Sequence, residues 1–124
     1  MAHLKVIGDD LVLRLSPLEV AGAMHRSVRV PLHCVASIAP SDLMWGELRG
    51  LRAPGTGLPR VIALGTWRSS GDRDFVAVYR TSGVVITLED SEWSRLLVSS
   101  TDPDAVCARI RQALHGQPST GSAG

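Results

Sequence analysis

Between Leu11 and Leu15 the chain alternates with a period of two, placing Leu11, Leu13 and Leu15 on one face and Val12 and Arg14 on the other, as a half-buried strand requires. A strand over Leu4 to Ile7 precedes it, joined through Gly8, Asp9 and Asp10, which tolerate tight-turn backbone angles. The text SPLEV then starts a helix: Ser16 as N-cap, Pro17 where a missing N–H costs nothing, and Glu19 completing a capping box. Leu15 and Val20 are placed to staple its entry, and the helix is expected to run to about His25. In VRVPL, Val28 and Val30 share a face and Pro31 marks an edge or a strand end. Residues 33–39 fit a strand or a helical turn. From Pro40 to Arg60 the periodicity lapses and Gly46, Gly50, Pro54, Gly55, Gly57 and Pro59 accumulate, which predicts a long loop with a helical turn around Asp42 to Leu48.

The second half is more regular. Apolar, β-rich runs at Arg60 to Trp67, Phe75 to Arg80, Val84 to Leu88 and Trp93 to Ser99 predict four strands, and their short connections predict an antiparallel meander. A last helix is capped by Thr101 or Asp102 and has Pro103 in its first turn. Val106, Ile110, Ala113 and Leu114 form its buried stripe, while Arg109, Arg111 and Gln112 lie mostly off it and face water. Residues 116–124 have almost nothing to bury and are expected to be a disordered tail, leaving residues 1–115 as one domain.

Composition agrees with a single soluble core: 124 residues, 44% hydrophobic and 20% charged. Thirteen basic against twelve acidic residues give a formal charge of +1, so bulk charge provides no reason to expect nucleic acid as a partner. An aromatic content of 4% also argues against a base-stacking sheet. Cys34 and Cys107 are too few for a disulfide framework and are expected as reduced thiols. With Asp9 and Asp10 near the start and no stretch of 18 apolar residues, the expectation is a cytoplasmic protein without a membrane span.

Short strands followed by one terminal amphipathic helix resemble the bacterial pleckstrin-homology-like family. VRVPLHCVASI resembles its strand, proline turn, strand pattern, and LEDSEWSRLLVSSTDPDAVCARI resembles its ending. The resemblance covers Leu11 to Leu114 and implies a mainly β fold: a partly open barrel of two antiparallel sheets with a short early helix and a C-terminal capping helix. It also implies a binding or assembly module more readily than an enzyme, with the ligand unspecified. The fragment GLRAPGTGLP departs from a minimal domain of this kind.

Three regions stand out as candidate sites. Arg49, Arg52 and Arg60 lie among Gly50, Gly55 and Gly57, so an anion held by converging amides and guanidinium groups is physically reasonable over residues 48–60. The same residues also fit a self-packed loop with solvated arginines. No Lys-Ser/Thr pair follows the glycines, which excludes a P-loop. Trp45, beside Leu43 and Met44, is either a partner anchor or a cover for the open end of the barrel, whereas Trp67 and Trp93, in or beside predicted strands, are expected as core or barrel-rim residues. The VRVPL edge, with Val28 and Val30, offers a place for sheet extension by a protein partner or a second copy. His33 and Cys34 are the one close pair of metal-ligand types, and no spacing supports a zinc site or a cofactor. No nucleophile elbow occurs, and Asp72, Asp74, Glu89, Asp90 and Glu92 read as solvated turn charges. The expectation is therefore a non-enzymatic module engaging a protein partner or itself; an anionic small molecule or lipid head group on the Arg-Gly loop is the alternative, and a small enzyme using the barrel interior comes third.

Overall fold

The computed structural model describes residues 3–23, 27–48, 51–58, 62–69 and 71–115. The fold is mainly β, with two sheets, a short early helix and a C-terminal helix. The smaller sheet consists of β1 (His3–Ile7), β2 (Asp10–Arg14) and β3 (Val28–Pro31), adjacent in that order and antiparallel. Gly8 makes the β1–β2 turn at φ 60°, a conformation that Cβ-bearing residues resist. Leu11 and Leu13 are fully buried, as their alternation requires.

Helix α1 (Pro17–Ala23) starts with the capping box read from SPLEV: the Ser16 N–H donates to Glu19 Oε1 at 2.8 Å, and the Glu19 N–H donates to Ser16 Oγ at 3.2 Å. Its expected extension to His25 runs into residues outside those described.

The larger sheet comprises β4 (Val35–Ser41), β5 (Leu51–Leu58), β6 (Ile62–Ser69), β7 (Asp72–Val78), β8 (Gly83–Leu88) and β9 (Arg95–Ser99), in the spatial order β4-β8-β9-β7-β6-β5. A 3-10 turn at Leu32–Cys34 precedes β4, so residues 33–39 contain both a helical turn and a strand. The long loop expected between Pro40 and Arg60 is not one. β4 runs on to Ser41, a 3-10 turn occupies Met44–Glu47, and the Gly/Pro-rich text forms β5, paired with β6. An edge position explains how these breakers are accommodated, since Pro54 falls where the β5–β6 register shifts between Arg52 and Gly55.

The expected meander is also interrupted. β6 and β7 form a hairpin through Gly71, but β9 inserts between β7 and β8 and runs parallel to β7. Residues between β7 and β8 close no hairpin because their backbone groups are used elsewhere. Ser99 Oγ accepts from the Tyr79 N–H at 2.8 Å, Thr81 O accepts from the Met44 N–H at 3.0 Å, and Ser82 O accepts from the Ser100 N–H at 3.1 Å.

The parallel pair lies at the centre of the sheet, covered on both faces, where parallel strands are usually found. Phe75 and Ala77 face a core shared with Leu4, Leu11, Leu13, Val28, Val30 and helix α2 (Pro103–His115) through Cys107 and Ile110. Val76 and Val78 face the opposite side, covered by fully buried Met44 and by Trp45 and Leu48. Phe75 meets Trp93 edge to face, with ring centroids 5.3 Å apart. Asp102 caps α2, its Oδ1 accepting from the Ala105 N–H at 3.2 Å.

Candidate functional site

β1 is an edge strand: it pairs with β2 on one side, and no described strand pairs with the other. Its alternation buries Leu4 and exposes His3 and Lys5. Opposite this edge stand α2 and the ends of β8 and β9, and between them lies a groove of two lobes that share Leu4, Lys5 and Arg109.

The lobe at the His3 end encloses about 300 Å³ over a floor of Leu4, Val84 and Val98. His3, Lys5, Arg80 and Arg109 form its rim, all four exposed. The second lobe, about 500 Å³, adds Val6, Ile110 and Ala113. Among the described residues lining either lobe there is no carboxylate, and Lys5, Arg80 and Arg109 form no ion pair with a described residue.

Local structure positions each cation. Lys5 follows from the β1 register, opposite Val12. Arg80 sits on a backbone clamped by Ser99, whose Oγ accepts from the Arg80 N–H at 3.1 Å and donates to Arg80 O at 3.2 Å. Arg109 projects from α2 one position before buried Ile110. A groove with an apolar floor, a cationic rim and an open strand edge is suited to an extended, acidic chain: unpaired backbone groups supply a ladder and the rim supplies charge complementarity.

The sites read from sequence lie elsewhere. Arg52, Gly55 and Gly57 are strand residues of β5, opposite Trp67, Gly65 and Ala63. Arg49 and Arg60 lie outside the described residues, so the 48–60 site as a whole is not described. Trp45 is half-buried on the outer face of the large sheet, where it helps cover Val76, Val78 and Leu97 instead of closing a barrel end. Val28 and Val30 are each 2% exposed and face the core, so β3 offers a partner its edge backbone and not these side chains. On that edge, Arg29 is held by Asp10 at 2.6 Å.

Asp74, read from sequence as a solvated turn charge, is buried instead, and so is the capping-box acid Glu19. Asp74 is 1% exposed and receives Nε and Nη2 of Arg95 at 3.2 and 2.8 Å. Glu19 is also buried and accepts the Tyr79 hydroxyl. Burial pushes the Glu19 carboxyl up, but hydrogen bonds from Ser16 and Tyr79 outweigh it and hold it below its ordinary value. Tyr79 is pushed well above its ordinary value by burial, the hydrogen bond to Glu19 and that group's charge. Cys34 and Cys107 are buried, unpaired thiols, each raised chiefly by burial. Cys34 Sγ lies 3.7 Å from His33 Nδ1, and among the described residues no group of three His, Cys, Asp or Glu is placed to hold a metal.

The groove escaped sequence reading because its cations come from β1, the β7–β8 connection and α2, separated along the chain and each resembling an ordinary surface charge. Two signals were present: Arg109 lies off the apolar stripe of its helix, and Lys5 is a polar position between Leu4 and Val6. Comparisons of the chain with protein-family models, curated proteins and solved structures find no match, leaving the groove's own geometry as the basis for a functional reading.

Proposed function

We propose that the chain is a non-enzymatic, pleckstrin-homology-like binding module, and that it engages a protein partner by adding an extended segment of that partner to β1. The observation that carries this reading is the open edge of β1 facing a groove with a cationic rim and no described carboxylate. β3 is the poorer edge, because Pro31 lacks an N–H and Arg29 is already paired. A second copy of the chain is a poor occupant: among the described residues, the edge strands β1, β3, β4 and β5 contain no acid. The acidic Glu89–Glu92 segment is a turn with Asp90 at φ 55°, not an extended strand. Anion binding on the Arg-Gly segment lacks support as a loop site, since Arg52, Gly55 and Gly57 belong to a strand. The reading includes a cytoplasmic location, which the two unpaired thiols support. Among the described residues no helix is long and apolar enough to cross a membrane.

The test is selection of displayed random decapeptides on the immobilised protein, followed by backbone amide exchange on the protein with the selected peptides bound. Slowed exchange over His3–Ile7 is expected. Failure to enrich any peptide, or binders that leave β1 exchange unchanged, would overturn the reading.

A further inference from the structure

We infer that the groove reads an alternating side-chain pattern, acidic then apolar, in the segment it binds; this rests on the β1 reading above. A strand added to an edge inherits the two faces of the strand it joins, because cross-strand neighbours lie on the same side of a sheet. On β1 those faces differ in chemistry. His3 and Lys5 point to the exposed side, while Leu4 is buried and Val6, 36% exposed, continues its row. The opposite wall repeats the division: Arg80 and Arg109 supply charge, and Val84, Val98, Ile110 and Ala113 supply apolar surface.

A segment on β1 therefore presents every second side chain to cations from both walls and the intervening ones to the apolar floor. Carboxylates suit the first set, because the described lining contains no competing acid, and branched aliphatic side chains suit the second. The occupant is an extended protein segment of the form acid, aliphatic, acid, aliphatic. A free anion would use the rim alone and leave the floor uncovered.

Fluorescence anisotropy with three labelled octapeptides, each flanked by serines, tests the pattern. One carries Asp-Val-Glu-Val, one the same residues as Asp-Glu-Val-Val, and one Asn-Val-Gln-Val. The alternating acidic peptide is expected to bind about tenfold more tightly than either other, with the advantage over the amide peptide shrinking as salt rises. The Lys5→Glu, Arg109→Glu double variant should lose this preference and gain one for Lys-Val-Lys-Val, with circular dichroism confirming an unchanged fold. Equal binding of the alternating and blocked peptides would overturn the pattern, as would equal binding of the acidic and amide peptides. If these peptides bind equally and still protect β1 amides, the binding-module reading survives without the pattern. If none protects β1 while selected decapeptides do, the pattern alone fails; if no peptide of either kind does, both fall.

Discussion

Asp74 and Arg95 are direct register partners across the parallel β7–β9 pair, and Arg95 donates to Asp74 Oδ2 from both Nε and Nη2, at 3.2 and 2.8 Å. Arg95 also reaches Glu47, donating to its backbone carbonyl at 2.6 Å. One guanidinium thus satisfies a buried carboxylate and fastens the Met44–Glu47 turn over the outer face of the large sheet. Removing it takes two hydrogen bonds from Asp74, which is 1% exposed. Arg95→Ala is expected to destabilise the fold by about 3 kcal/mol, measured by urea denaturation. Because the two side chains share these hydrogen bonds, the Asp74→Ala, Arg95→Ala pair should cost less than the sum of its single changes. Additive losses would show that the pair is not coupled.

The Glu19–Tyr79 contact ties α1 to the large sheet and makes stability depend on pH at both extremes. Tyr79 has a folded pKa raised above its ordinary value of 10, so its contribution is fully present below pH 10 and is lost as pH rises toward the folded value. Glu19 is depressed below its ordinary 4.5, so its contribution is present above that pH and is lost as pH falls through the folded value. Tyr79 is the single tyrosine, so absorbance near 295 nm reports it alone. Native protein at pH 10.5 should show little tyrosinate, and urea-unfolded protein a majority. Tyr79→Phe should cost about 1.5 kcal/mol, the scale of a hydrogen bond to a charged group.

Gly83 on β8 is the register partner of Ser99 on β9. A Cβ there would stand 2.3 Å from the Val98 carbonyl oxygen and 2.8 Å from the Ser99 Cα, both backbone atoms that cannot swing away. Gly83→Ala should therefore destabilise by about 2 kcal/mol, as overpacking does. At Gly46 the nearest contact is the Leu43 Cβ at 4.0 Å, and Gly46→Ala should stay within about 0.5 kcal/mol. Comparing midpoint temperatures checks both, and equal effects would refute the close approach.

Cys34 and Cys107 are 3% and 1% exposed. Their burial and raised thiol pKa values both disfavour the reactive thiolate. In native protein at pH 8, labelling by an aromatic disulfide reagent is expected to be at least about tenfold slower than in urea. Rapid labelling of either thiol in the native state would contradict that burial.

Local chemistry was legible in the sequence wherever one element decides the outcome. The capping box on Ser16 and Glu19, the leucine face of β2 and the Val106 and Ile110 stripe of α2 each follow from periodicity or from hydrogen bonds spanning a few residues. These features, with a mainly β fold and a terminal helix, the sequence determined by itself. Tertiary structure decided the rest. Whether Leu51–Leu58 is a loop or a strand depends on β6 being available to pair with it, which outweighs the turn propensity of Pro54, Gly55 and Gly57. Whether β7 pairs with β8 or β9 depends on where Ser99 and Met44 draw the intervening backbone. Asp74 reads as a turn charge until Arg95, 21 residues later, is brought beside it. The groove is the furthest from legible: Lys5, Arg80 and Arg109 acquire a common use when folding brings three elements to one edge, and contacts between residues so distant in the chain leave no periodic trace in it.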